Sequence, residues 1–242
     1  MNEPQSRVFE TLEEASRALA EAVAAQLREA VAANASATLA LSGGSTPQRM
    51  HAILAEHEVP WPRVHVFIGD ERFVPADDPA SNYGMARRTL LDAVPIPPEN
   101  VHRWRTDLAS PEDAALEMQG QLAEVFGCSI ATGTPPRFDV MLLGMGADGH
   151  TASLFPNSIA LSIDSRWAVP TEAPDEPRER VTLTLPVLNA SRAVHFLVSG
   201  ADRREALRRA MGDPMQPESC PASLVGPTDG TLTWWLDREA AP

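Results

Sequence analysis

Three short, unbroken apolar runs each end on glycine and open into a polar turn, and nothing else in the 242 residues constrains the fold as much. They are TLALSGG (38–44), VHVFIGD (64–70) and FDVMLLG (138–144). A run that does not alternate with polar residues suits a strand buried on both faces, so helices must cover the sheet on either side. RVTLTL (180–185), AVHFLVSG (193–200) and TLTWWLD (231–237) read as further strands.

Helical segments fall between these runs. Thr11 and Glu14 have capping-box spacing, and Leu12, Ala15, Leu19, Val23 and Leu27 share one face, so the first 33 residues read as a helix. Thr46 as cap with Pro47 at the first helical position starts a helix running to about Leu54. Another begins near Ser81, and Ser110-Pro111-Glu112-Asp113 opens one reaching about Phe126. Asp202 and Glu205 cap a last helix from Asp202 to Met211, and the proline-rich stretch Pro170 to Arg180 reads as a surface loop. Strand and helix in alternation predict an α/β fold with a mostly parallel sheet and helices on both faces, with residues 1–242 forming a single domain. No internal repeat or low-complexity linker interrupts it.

Charge narrows the partners. The formal net charge is −13, and all 20 basic residues are arginine, with no lysine anywhere. Such a chain lacks the basic surface that nucleic acid requires, and a lysine Schiff base is excluded. An anionic small molecule would have to bind at a local arginine cluster. No stretch approaches the roughly 20 apolar residues of a membrane span. The acidic N-terminus has no basic region followed by an apolar block, so a cytoplasmic protein is expected. Cys128 and Cys220 form no CxxC pair or Cys/His cluster, so neither a metal site nor a disulfide is expected.

In open parallel sheets ligands bind at the carboxyl ends of strands, so the residues just beyond each apolar run carry the functional reading. After the first come Gly43, Gly44, Ser45 and Thr46, a turn rich in free N–H groups at a helix N-terminus and a plausible phosphate cradle. It is neither a Walker loop nor a GxGxxG fingerprint. After the second come Asp70, Glu71 and Arg72, two acids where desolvation is costly and a planar fork suited to phosphate. After the third, Gly144-Met145-Gly146-Ala147-Asp148-Gly149-His150 places a general base beside a carboxylate that can fix its tautomer. His65 and His195 lie within strands, while His51, His57 and His102 fall on helix or loop positions with no evident partner. Trp234-Trp235 reads as core packing. With no GxSxG elbow, a base acting directly on water is the simplest scheme.

Taken together, LALSGGSTP, VFIGDERFVPADDPASNYGMAR, FDVMLLGMGADGHTASLFP, RVTLTLPVLNASRAVHFLVSG and GTLTWWLD resemble the 6-phosphogluconolactonases over nearly the whole chain. They resemble, more distantly, the glucosamine-6-phosphate deaminases of the same Rossmann-like fold. In the deaminases a tyrosine follows Asp-Glu, and an acid stands a few positions after the DGH histidine. Here Arg72 and Phe155 occupy those places, which favours the lactonases. The resemblance implies hydrolysis of a phosphorylated sugar lactone without metal or organic cofactor, by a monomer or small homo-oligomer. It casts His150 as the base, and Asp70 and Asp148 as orienting or hydroxyl-binding groups with roles not separated. Gly43, Gly44, Ser45, Thr46, Arg72, Asn82, Gly144 and Gly146 would bind substrate, with backbone N–H groups of the glycine-rich turns facing the oxyanion. Family members often carry a phosphate-binding lysine in an SPKPP segment. Asp175 stands there in this chain, making Arg178 the expected replacement and Arg180 a structural residue at the strand entry. The rival readings are an amino-sugar phosphate deaminase/isomerase and a non-catalytic sugar-phosphate sensor.

Overall fold

The computed structural model describes residues 3–212 and 217–242. Seven strands form an all-parallel sheet: β1 (Gln5–Phe9), β2 (Ala37–Leu41), β3 (Val64–Ile68), β5 (Val101–His102), β6 (Val140–Leu143), β9 (Ala193–Val198) and β10 (Thr231–Asp237). Their order across it is β1-β10-β9-β6-β2-β3-β5. Every residue of β2, β6 and β9 is buried. Successive side chains of a strand point to opposite faces, so both faces of the central sheet are covered. The apolar runs therefore form its middle.

The helices are α1 (Leu12–Asn34), α2 (Thr46–Leu54), α3 (Asn82–Thr89), α4 (Pro111–Phe126), α5 (Leu185–Ala190) and α6 (Arg204–Met211). Thr11, Ser81 and Ser110 cap α1, α3 and α4 by accepting from the N–H three residues on, as the sequence predicts. α1 buries Ala15, Leu19, Val23 and Leu27 against the sheet and α2. Trp234 and Trp235 are core residues, Trp234 stacking on Phe196 at 4.1 Å between ring centroids.

Five expectations give way to tertiary context. The first 33 residues are not helical throughout: Gln5–Phe9 form the edge strand β1, held by parallel pairing with β10. Its side chains are mostly exposed, so it carries no burial pattern to read. RVTL does not join the main sheet. β4 (Asp70–Arg72), β8 (Glu179–Leu183) and β7 (Ala168–Glu172) form a second, antiparallel sheet in the order β4-β8-β7. The Pro170 to Arg180 stretch is accordingly two strand ends around a short connection, with Pro170 on the edge strand β7, where a missing N–H is tolerated. At α2, Ser45 rather than Thr46 precedes the first helical residue, and no side chain caps it. At α6, Asp202 pairs with Arg203 and Glu205 with Arg208 instead of capping the helix.

The strand order places the site. From β2 the chain runs outward to β3 and β5, then returns to lay β6 on the other side of β2. A crevice opens at such a reversal beyond the strand ends. SGGST comes after β2 and GMGADGH after β6, so the two turns face each other across it.

Candidate active site

A cleft of about 670 Å³ lies over this crevice. It is lined by the Ser42–Pro47 turn, the 142–148 segment with His150, and Asp70, Arg72, Asn82, Ser153, Phe155, Asp175, Arg180 and Arg203. All three strand ends named from the sequence therefore meet in one cavity, and the second sheet closes its side through β4 and β8.

The GMGADGH loop folds back on itself. Gly146 N–H donates to His150 O, and Gly149 N–H to Gly146 O. These two glycine N–H groups are committed to the loop and are not free to meet an oxyanion. Within the loop His150 Nδ1 lies 2.6 Å from Asp148 Oδ1, which also accepts from the His150 backbone N–H. A carboxylate at Nδ1 selects the tautomer protonated there and leaves Nε2 as the basic nitrogen. Burial acts to raise the Asp148 carboxyl, but the hydrogen bonds from the His150 ring and backbone outweigh it and lower its pKa. A Cβ on Gly146 would stand 2.2 Å from His150 Nδ1 and 2.6 Å from Asp148 Oδ1, so glycine there is what lets the pair sit against the backbone. The Phe155 ring packs beside the imidazole at 4.9 Å between centroids.

Asp70 is separate from this pair. Its Oδ2 accepts from Ser153 Oγ at 2.6 Å, and its backbone carbonyl accepts from Asn82 Nδ2. Asn82 lies so close to Gly43 that a Cβ there would come within 2.0 Å of Asn82 Oδ1. Asn82 thus ties the start of β4 to the turn after β2. Glu71 points away from the cleft and accepts from the backbone N–H groups of Arg72, Asn82 and Tyr83 and from Ser81 Oγ, anchoring the start of α3. Burial pushes its carboxyl up to about 7, against those backbone donors, which favour the charged form.

The cationic side is built from strands. Arg72 on β4 and Arg180 on β8 are register partners, and the buried Nε of each finds no acceptor among the described residues. Burial, with the like charge of Arg72, lowers the Arg180 pKa against the opposing pull of Asp70 and Glu71. The N–H groups of Gly44 and Ser45 likewise meet no acceptor among the described residues, at the uncapped start of α2. Buried donors without acceptors, two guanidinium groups side by side and a helix N-terminus together suit a bound anion. Arg203 adds charge on the cleft wall, held by Met145 O and Ser199 O.

Arg178 is not in the cleft. It lines a separate groove with Phe73, Glu172, Glu176, Pro177 and Glu179, and its guanidinium pairs with Glu172. Arg178 O accepts from Ala173 N, so the residue belongs to the outward connection between β7 and β8, whereas Arg180 lies on the strand paired with β4. The expected positions of these two arginines are thus exchanged, Arg180 lining the cleft and Arg178 lying outside it, because the antiparallel pairing that turns Arg180 inward leaves no periodic signal in the sequence. Ser153 and Arg203 line the cleft without having been expected there. Outside the cleft, His102 is not partnerless: it lies on β5 and contacts His65 at 3.1 Å and Gln121 at 3.0 Å. Among the described residues no three His, Cys, Asp or Glu side chains gather as a metal site would require.

The model of the family described as glucosamine-6-phosphate isomerases/6-phosphogluconolactonase matches residues 10–234. A 6-phosphogluconolactonase of Synechocystis sp. is 42% identical over 218 residues, covering 90% of this chain and 89% of that one. The Mycobacterium tuberculosis 6-phosphogluconolactonase is 42% identical over 219 residues, 88% and 87% of the two chains. The crystal structure of the Thermotoga maritima 6-phosphogluconolactonase superposes with a TM-score of 0.85 at 28% identity, over 97% of this chain and 100% of that one. A fold and cleft of this kind, matched along nearly the whole chain, place the protein in the glucosamine-6-phosphate isomerase/6-phosphogluconolactonase family. Within that family the likeness to a monomeric glucosamine-6-phosphate deaminase, TM-score 0.81 at 20% identity, extends to the fold alone.

Proposed function

We propose that the chain hydrolyses 6-phospho-D-glucono-1,5-lactone to 6-phospho-D-gluconate, the lactone-opening step of the oxidative pentose phosphate pathway. The observation that carries the reading is that one cleft holds both a carboxylate-oriented histidine and a pair of arginines with unpaired buried donors. The substrate has the matching ends, an electrophilic carbonyl and a phosphate.

The phosphate sits against the Gly43–Thr46 turn, Arg72 and Arg180. His150 Nε2 takes a proton from water as the water oxygen bonds to the lactone carbonyl carbon. Asp148 holds the ring in place and stabilises the imidazolium. Arg203, on the cleft wall and paired with Asp202, is the cation facing the charge that develops on the tetrahedral oxygen. Collapse breaks the bond to the ring oxygen, which receives the proton from Nε2, and the new acid releases its own proton to solvent. Asp70, whose partner is Ser153 and not His150, accepts from sugar hydroxyls in this reading, and its different partner supports a role apart from that of Asp148.

The deaminase reading loses support at Phe155, an apolar ring packed on His150 where that chemistry needs a carboxylate. The test is lactone hydrolysis by wild type and His150→Ala on freshly generated substrate, each against the spontaneous rate. A wild type no faster than that background, or a variant as fast as wild type, overturns the assignment.

A further inference from the structure

We propose that Ser153 is a positioning residue that acts through Asp70, fixing that carboxylate in the cleft at a set distance from the loop that carries His150. Ser153 is three residues beyond His150, whereas Asp70 comes from β4 in the other sheet. The only polar side-chain link between the two among the described residues is the 2.6 Å hydrogen bond from Ser153 Oγ to Asp70 Oδ2. Both residues are buried at the cleft wall, Ser153 at 1% and Asp70 at 7% exposure. A buried hydroxyl donating to a carboxylate is a strong bond of fixed direction. With Oδ2 taken, Oδ1 is the oxygen Asp70 has left for substrate.

The fold does not need this hydroxyl to hold its loop. Ser153 N–H is already bound by Thr182 Oγ1, and Thr182 is the register partner of Asp70 on β8. The turn is closed by Leu154 N–H donating to Thr151 O and by a bridge between the same two residues. The backbone also adopts an unfavourable conformation just before Ser153: Ala152 has φ 48°, left-handed and unusual for a residue with a side chain. The loop is pinned by its backbone, and the hydroxyl is left to serve the carboxylate.

The inference rests on Asp70 facing substrate, and the test is a double-mutant cycle that separates the two ideas. Ser153→Ala is expected to lower kcat/KM about 10-fold or more, the scale of one charge-assisted hydrogen bond, with an unchanged melting temperature. In an Asp70→Ala background, which leaves no acceptor for Ser153 Oγ, the same substitution is expected to change kcat/KM by less than about 2-fold, because the group it serves is gone. The cycle is also run on affinity for 6-phosphogluconate, which can be read even where turnover falls to the spontaneous rate. Ser153→Cys, close in volume and a weaker donor, should fall between serine and alanine, and it replaces alanine in the cycle if that variant does not fold. Equal losses in both backgrounds, or a Ser153→Ala enzyme as active as wild type, overturn the role of Ser153. Wild-type activity in Asp70→Ala alone instead overturns the reading of Asp70.

Discussion

Arg72 and Arg180 stand opposite one another across the antiparallel pair β4 and β8, each with a buried Nε that meets no acceptor among the described residues. Like charges directly opposed on a sheet destabilise it. Arg72 Nη1 donates to Ala80 O, but neither Nε has an acceptor among the described residues, and an anion would complete both. The KM of Arg180→Gln for the lactone should therefore rise about 10- to 100-fold, the 1.5–3 kcal/mol of a hydrogen bond to a charged group, with kcat changed much less. Steady-state kinetics should show Arg178→Ala within about 2-fold of wild type on both constants, as its exposed pair with Glu172 lies in another groove. The opposite ranking would return the phosphate site to Arg178.

Asp148→Asn tests the dyad without removing the base. An amide can offer its N–H to Nδ1, favouring the tautomer that puts the proton on Nε2 and takes away the basic nitrogen. A fall in kcat of about 10²- to 10⁴-fold at unchanged melting temperature is expected. An Asn variant with wild-type kcat would show that the 2.6 Å contact has no part in turnover.

Gly146→Ala perturbs the same dyad sterically. Its Cβ would fall 2.2 Å from His150 Nδ1, which forces the imidazole or the loop to move. Small displacements of a catalytic group cost about 10²-fold, so kcat should drop by at least that factor while the fold survives. Gly44→Ala is a useful contrast: its Cβ meets nothing, but φ is 94°, so strain in the Gly43–Thr46 turn should appear in KM.

Three histidines predict acid lability. Burial pulls His51, His102 and His195 down to about 4 from the ordinary 6.5. Between those values the unfolded chain binds protons that the folded one refuses, so stability falls as the pH drops from 6.5 towards 4. Glu71, raised to about 7, works in the opposite direction above 4.5, as one group against three. Thermal melts across pH 4–8 should show the melting temperature falling steeply below about 6.5, and less steeply in His51→Gln. A flat profile would mean these rings are not held neutral.

Five of the seven strands of the main sheet, β2, β3, β6, β9 and β10, could be read directly from the chain, because buried parallel strands need continuous apolar runs and β2, β3 and β6 consist of little else, whereas the two-residue β5 is too short to show a pattern. Their glycine-rich ends also marked the cleft, since a turn that must bring N–H groups or a histidine close to the backbone has few residues to choose from. The edge strand β1 was invisible because its pairing with β10 buries almost none of its side chains.

The partners within the site were decided only by tertiary structure. Asp148 and His150 are two residues apart, so a local turn suffices to join them and the sequence could name the pair. Asp70 and Ser153 are 83 residues apart, and Arg72 and Arg180 meet only because β4 pairs antiparallel with β8. Local sequence encodes a turn and the groups it carries. Which distant side chain faces that turn depends on strand order and register, and these are set by packing the whole sheet.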